Sequence, residues 1–415
     1  MISFKGKVAV LGVSLAMALY AVVGSFLSTH AQQPINDAGA QMRIFGSVLQ
    51  HIQNDYVDEP DWEKVRSGAL RGLPYGLDSY SSYLTEEQVK NFSADRFAKQ
   101  SGVGAEFSQV ASYLYVVSVI SGSPADKAGL KSGDVVEFIE NKATRDISLY
   151  DAKELIHGPS GTEVKLRVFR SGERPKTIKI TRGPFVAPNA ELKTAADGMP
   201  IIKIHAIGSG EAEAVKKFLE TSSVKNKGKV ILDLRNVASG DIKEAAKVAN
   251  LFIKEGNLAQ VIGRGNKVIE TFTARPADHV FSGEVVVLID GATAGAGEVI
   301  ASAFLDRKRG EVVGERSFGA GSEQELFKMK RGDGLLLTTR KWASSTGTPF
   351  LGSNRNNSGV KPSVETESAD EVDVEELVDS QNEEQPGQDS ATKPKQVEQE
   401  DIPLKKALEI LGGKK

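Results

Sequence analysis

The stretch Glu284–Leu305, EVVVLIDGATAGAGEVIASAFL, decides the fold. Its first residues form a nearly continuous apolar run ending at Asp290, the pattern of a strand covered on both faces. Ala296 to Leu305 then reads as a helix. Between them, Gly291, Gly295 and Gly297 permit a tight passage from strand to helix. They do not make a nucleotide site, because the GxGxxG spacing and a ribose-binding acid after a preceding strand are missing. Lys229–Leu234 is a second apolar strand and Ala245–Ile253 a second helix. From about Val186 to Val364 the chain therefore has the strand, helix, strand rhythm of an α/β core, in which these two helices are expected to cover the sheet.

Working toward the N-terminus, residues 101–182 change character. Leu114–Ile120, Val135–Ile139 and Val164–Val168 are short β-rich runs. Ser123 to Leu130 makes one helical turn ended by Gly129, Gly133-Asp134 is a turn, and Leu149–Ile156 is a longer helix. Short strands with one such helix suit a small, partly open barrel with a groove at its edge. Before it, Ile44, Val48, Leu49, Ile52 and Tyr56 recur at helical spacing, and Asp61 is placed to cap a second helix. Asp78–Leu84 reads as a polar turn, and Thr85 with Gln88 opens a further short helix.

At the start of the chain, Lys5 and Lys7 precede an apolar run, Val8–Leu27, with Ala31 at a suitable cleavage point. Residues 1–31 read as a signal peptide or an uncleaved membrane anchor, since twenty residues of helix span about 30 Å. Toward the C-terminus, residues 365–402 are acidic, polar and poor in aromatics, and read as a disordered linker. Residues 403–415 follow as a terminal amphipathic helix with Leu404, Ala407, Leu408 and Leu411 on one face.

Composition removes several functions. With 52 basic against 55 acidic residues the formal charge is -3, which gives no reason to expect a nucleic-acid partner. Cysteine is absent, so disulfides, thiolate chemistry and Cys-ligated zinc are excluded. Five scattered histidines lack metal-ligand spacing, and neither a metal nor a cofactor is expected.

Taken in order, several segments resemble the carboxyl-terminal processing, or tail-specific, proteases, S41-type serine peptidases of bacteria and chloroplasts. They are Leu77–Leu84, Gly122-Ser123-Pro124-Ala125 through Gly129-Leu130, Gly133-Asp134, Asp233-Leu234-Arg235-Asn236, Gly314-Glu315, Ser317-Phe318-Gly319 and Gly359–Pro362. The resemblance implies a crotonase-like (ClpP/crotonase) α/β protease core over residues 186–364. It also implies an inserted PDZ domain at 98–183 and an N-terminal helical region at 41–95. The PDZ domain of such proteins recognises a substrate C-terminus. Here Gly102, Val103, Gly104 and Ala105 match its carboxylate-binding loop, and Glu106 and Phe107 continue the sheet edge onto which a peptide adds. Tyr115 is either a groove residue or an ordinary sheet position.

The family cuts peptides with a serine nucleophile and a lysine base, because an alcohol attacks poorly until a neutral amine nearby takes its proton. The middle serine of the family's SASAS-like segment falls on Gly295, and the lysine of its FGKG segment on Ala320. The assisting glutamine is retained as Gln324. The oxyanion loop is represented by Ser239 and Gly240, with Val237 and Ala238 replacing part of the usual pattern. Thr293, Ser317 and Ser322 are the neighbouring hydroxyls, and Lys308, Lys328 and Lys330 the neighbouring amines, from which a displaced dyad could be built.

The leading expectation is thus a non-catalytic relative that binds peptide or protein C-termini and regulates or scaffolds an active protease or envelope assembly. One alternative is an active endopeptidase with a displaced nucleophile. Another is an oligomeric interaction protein with a silent groove, since family members self-associate through terminal helices. The location expected is the bacterial periplasm or another extracytoplasmic space, with the chain either released by cleavage or anchored to the inner membrane by residues 8–27.

Overall fold

The computed structural model describes residues 37–354, 357–366 and 400–413. The signal peptide or anchor expected at 1–31 and nearly all of the disordered linker expected at 365–402 lie outside the described residues. No helix among the described residues is long and apolar enough to cross a membrane. The chain divides into two compact units, Met1–Ala69 and Leu70–Lys415.

In the first unit, α1 (Ala38–Asp55) carries the helical stripe expected from its spacing. Its Met42, Ile44, Phe45, Val48 and Leu49 are exposed. Asp61 caps the start of α2 (Trp62–Tyr75), whose last six residues from Leu70 on belong to the second unit, accepting from the N–H groups of Glu63 and Lys64 at 3.1 and 3.2 Å.

The second unit begins with a correction. Asp78 does nucleate a turn, accepting from the N–H groups of Tyr80 and Ser81 at 2.8 and 2.9 Å. Ser82–Leu84, however, is a strand, β1, paired antiparallel with residues 334–336. Its three residues are all buried, which the serines of the segment disguised, and Leu84 packs against Val89, Tyr150 and Leu336. The Thr85–Gln88 capping box then opens α3 (Glu86–Ser93), followed by α4 (Arg96–Lys99).

A six-stranded antiparallel domain comes next, comprising β2 (Ala105–Val110), β3 (Tyr113–Val119), β4 (Val135–Ile139), β5 (Lys142–Ala143), β6 (Glu163–Phe169) and β7 (Lys176–Thr181). Its helices are α5 (Pro124–Lys127) and α6 (Leu149–Ile156). The strand order is β2-β3-β4-β6-β7, with β5 against β4, so β2 is an edge. Val164, Leu166 and Val168 of β6 point inward with a period of two onto a core shared with Leu114, Val116 and Ile156.

The core domain starts with β8 (Glu191–Thr194), β9 (Pro200–Lys203), α7 (Glu211–Leu219), α8 (Ser222–Lys227) and β10 (Lys229–Asp233). It continues with α9 (Ile242–Phe252), β11 (Asn257–Ile262), β12 (Val268–Thr273), β13 (Glu284–Ile289) and α10 (Ala296–Asp306). It ends with β14 (Glu311–Gly314), β15 (Ser322–Lys328), β16 (Gly334–Ser344) and β17 (Val364–Glu365). One sheet runs β17-β14-β13-β10-β9-β8, parallel except for the β8 edge. Another runs β1-β16-β11-β12, with β15 also paired to β16.

Cover of the parallel sheet differs from the sequence expectation. Both α9 and α10 pack on the face that presents Val230, Leu232, Val285, Val287 and Ile289. The opposite face, with Ile231, Val286 and Leu288, is covered by the terminal helix α11 (Ile402–Gly412) through Ala407 and Leu411. Two polar contacts fix that helix. Lys229 Nζ donates to Leu411 O at 2.8 Å, and Arg235 binds both oxygens of Asp401 at 2.8 and 2.9 Å.

Candidate functional site

The turn from β13 into α10 is built around two carboxylates, Asp290 half-buried and Glu298 buried. Asp290 accepts from Asn236 N–H at 2.9 Å and Ala292 N–H at 3.1 Å, while burial pushes its pKa up. Thr293 is fully buried, with Oγ1 at 3.0 Å from Leu234 O and 2.9 Å from Asp290 Oδ1. Its one proton is committed to these acceptors. Gly295 sits at the apex with φ 51° and ψ −106°, a sharp strand-to-helix elbow that an L-residue enters only with strain.

Three residues on, Glu298 is completely buried and binds four donors. Oε2 accepts from Gly295 N–H at 2.7 Å and Ala320 N–H at 2.9 Å. Oε1 accepts from Gly319 N–H at 2.7 Å and Ser317 Oγ at 2.5 Å. One carboxylate thus ties the elbow to the loop around residue 320. Burial pushes its pKa up to about 7, against the pull of these donors. The N-cap-to-N3 spacing of Gly295 and Glu298 was a legible signal for half of this arrangement. The reach to residues 317–320 was not.

The other hydroxyls and amines are dispersed or engaged. Ser317 Oγ also accepts from Val360 N–H at 2.7 Å. Gln324 Nε2 donates to Ser322 Oγ at 2.8 Å and to Thr338 Oγ1 at 3.2 Å. Lys308, Lys328 and Lys330 are exposed. Lys203, not singled out from sequence, donates to Asp233 Oδ1 at 3.1 Å and to Arg235 O at 2.5 Å.

The inserted domain closes over these loops. Val117 joins Ala294 and Phe318 in a buried cluster, with Ala238 and Ala320 packed against it. Tyr115 stacks on Phe318, ring centroids 5.7 Å apart and planes 15° apart, so it is an interdomain contact rather than a groove residue. Asn236, at φ 60°, clamps the backbone of β3 by donating Nδ2–H to Val119 O at 2.8 Å and accepting Val119 N–H at 3.3 Å. Behind this, Gly240 is held at φ 149°, where a Cβ would lie 2.7 Å from Ile207 O, and Ser239 O accepts from Ile207 N–H at 3.1 Å.

On the other side of the domain, Gly102–Ala105 leads into the free edge of β2. Gly104 has φ 80° and no room for a Cβ, which would lie 2.3 Å from Ser123 Cβ. The carbonyls of Val103 and Gly104 are taken by Ala125 and Ile120 N–H groups. That loop geometry and a sheet edge beside α6, bonded at its far end by Ser79 Oγ to Gln109 O, are what a bound terminal carboxylate and an added peptide strand require. Burial raises the pKa of Glu106, which faces Lys153 of α6, while Phe107 points into the domain core.

Comparison with known proteins meets this geometry directly. Peptidase family S41 matches residues 199–366, and the PDZ domain family matches residues 115–170. The chain carries a family S41 peptidase domain and resembles the carboxyl-terminal processing proteases. It is 28% identical over 362 residues to the carboxy-terminal-processing protease of Bartonella bacilliformis, covering 86% of this chain and 81% of that protein. It is also 28% identical over 357 residues to the carboxy-terminal processing protease of Bacillus subtilis, covering 86% and 75%. A solved photosystem II D1 C-terminal processing protease superposes with a TM-score of 0.63 at 23% identity, over 78% of this chain and 92% of that one. The S41 core with an inserted PDZ domain is therefore this chain's fold.

Proposed function

We propose that this S41-family protein captures peptide or protein C-termini through its PDZ domain without hydrolysing them, as a regulator or scaffold of an active protease or envelope assembly. The observation that carries the reading is the pair Gly295 and Ala320. The elbow residue has no side chain, its N–H is bound to Glu298, and residue 320 packs in an apolar cluster beneath the PDZ domain. Neither supplies a nucleophile or a base. Export, attachment by residues 8–27 and self-association belong to the same proposal. The exposed apolar stripe of α1 supports self-association.

A second reading keeps catalysis, because the curated relatives are named as proteases. It requires a displaced hydroxyl. Thr293, two residues before the elbow, and Ser317, in the loop that Glu298 ties to it, are the hydroxyls at hand, and both are already bonded within the fold.

The test incubates the full-length chain with unstructured peptides carrying free or amidated C-termini and reads bound and cleaved species together by mass spectrometry. Retention of free-carboxylate peptides without turnover is expected. Reproducible cleavage that is lost in Thr293→Val or Ser317→Ala overturns the proposal in favour of the second reading.

A further inference from the structure

We propose that a cleft at the far end of the PDZ groove receives a carboxylate side chain of the bound tail. The domain then selects tails with Asp or Glu about five residues before the C-terminus. The inference rests on the tail-binding reading and adds a second point of recognition to it.

The groove has two defined ends. At the carboxylate loop, His157 follows the last turn of α6 and lies over Gly102, where a Cβ would stand 3.1 Å from His157 Nε2. At the other end, Gln109 near the close of β2 donates Nε2–H to Ile147 O at 2.8 Å, just before Ser148 caps α6. The two walls, β2 and α6, are thus antiparallel. A tail held at Gly102–Ala105 and running along β2 toward Gln109, whose carbonyl accepts from Ser79 Oγ at 3.1 Å, covers about five residues, at roughly 3.4 Å each.

Beyond Gln109 lies a cleft of about 280 Å³, bounded by Ile147 and Ser148 on one side and by Arg71, Ser82 and Arg145 on the others. Its polar groups do not balance. Ser82 is 1% exposed and its Oγ has no partner among the described residues. Arg71 uses Nη1 on Asp151 at 3.3 Å, and the nearest carboxylate to Arg145 is Asp146 at 4.0 Å. A guanidinium has five N–H donors, so most of this capacity is unspent.

The acidic residues lining the cleft are in the opposite condition. Asp78 is occupied by Tyr80, Ser81 and Thr338. Asp151 is occupied by Ser148, Gln88 and Arg71. Asp146 is largely exposed to water. The surplus is in donors, two of them cationic, around a buried hydroxyl. A carboxylate answers all three, because it accepts on both oxygens and pairs in the plane of an arginine.

The experiment measures binding of labelled peptides to the full-length chain. Each peptide has a free C-terminus and carries Glu five residues before it, Gln at that place, or Gln there with the Glu moved to the amino end. An amidated version of each is the control. The Glu peptide is expected to bind about tenfold tighter than the other two. That gain should vanish in Arg71→Ala, Arg145→Ala and Ser82→Ala, with binding of the Gln peptide unchanged. Ser82→Ala is the decisive variant, since it removes an unpaired buried hydroxyl and leaves the fold intact. Equal binding of the Glu and Gln peptides, or an equal gain from the relocated Glu, overturns the cleft assignment while preference for free over amidated tails leaves the groove reading standing. Loss of that preference in every peptide overturns both.

Discussion

Glu298→Gln separates the charge of the buried carboxylate from its shape. Burial moves this group from 4.5 up to about 7, so the folded protein holds a proton that the unfolded chain releases. A raised acid favours the folded state fully below the unfolded value, and that contribution is lost as pH rises through the folded one. The full difference is about 3 kcal/mol, of which ~2–3 kcal/mol is lost between pH 5 and pH 8. Glu211, also pushed up to about 7 by burial, slopes in the same direction, so the wild type alone does not isolate Glu298. Urea unfolding of wild type and variant at half-unit pH steps does. The variant also turns an amide N–H₂ toward two of the four donors, a pH-independent penalty of about 2–6 kcal/mol. The expected result is a less stable variant whose curve falls by ~2–3 kcal/mol less than the wild type's from pH 5 to 8, the slope that remains being that of Glu211. Parallel pH curves would refute the reasoning, because they would show that the four donors hold Glu298 ionised throughout.

Three further outcomes follow from individual contacts. Gly295→Ser should lower stability by about 1–3 kcal/mol, from backbone conformation and not from crowding, because a Cβ there meets nothing closer than Ala238 O at 3.6 Å. Thermal unfolding checks it, and an unchanged Tm would mean that the elbow relaxes. Asn236→Ala removes both clamps on Val119, and hydrogen exchange at Val119 N–H should accelerate roughly tenfold while amides in β13 keep their protection. Leu411→Ala, at a side chain 2% exposed against the parallel sheet, should cost about 2–4 kcal/mol in urea unfolding, and a value under ~1 kcal/mol would show that α11 is not part of the cooperative core.

Much of the fold was legible because it rests on local pattern. The apolar runs at Lys229–Asp233 and Glu284–Ile289 are strands, and Leu149–Ile156 and Ala296–Asp306 are helices, since side-chain period and β-branching act within a few residues. Failures arose where the partner was distant. Ser82–Leu84 is a strand only because β16 offers an edge 250 residues away in sequence, so its serines suggested a turn.

By itself the sequence determined which side chains exist at the elbow and in the following loop: glycine at 295, alanine at 320, glutamate at 298. It also determined the order of segments that marks the S41 family. Tertiary structure alone decided what those residues do to one another. It turned Glu298 toward backbone donors from two separate loops, laid Tyr115 of the PDZ domain on Phe318, and brought α11 across a gap of more than thirty residues to cover the sheet face that α9 and α10 leave open. The physical reason is the same in each case. A buried carboxylate, an aromatic face and an apolar sheet must each find a partner out of water, and nothing in the local chain says from how far that partner will come.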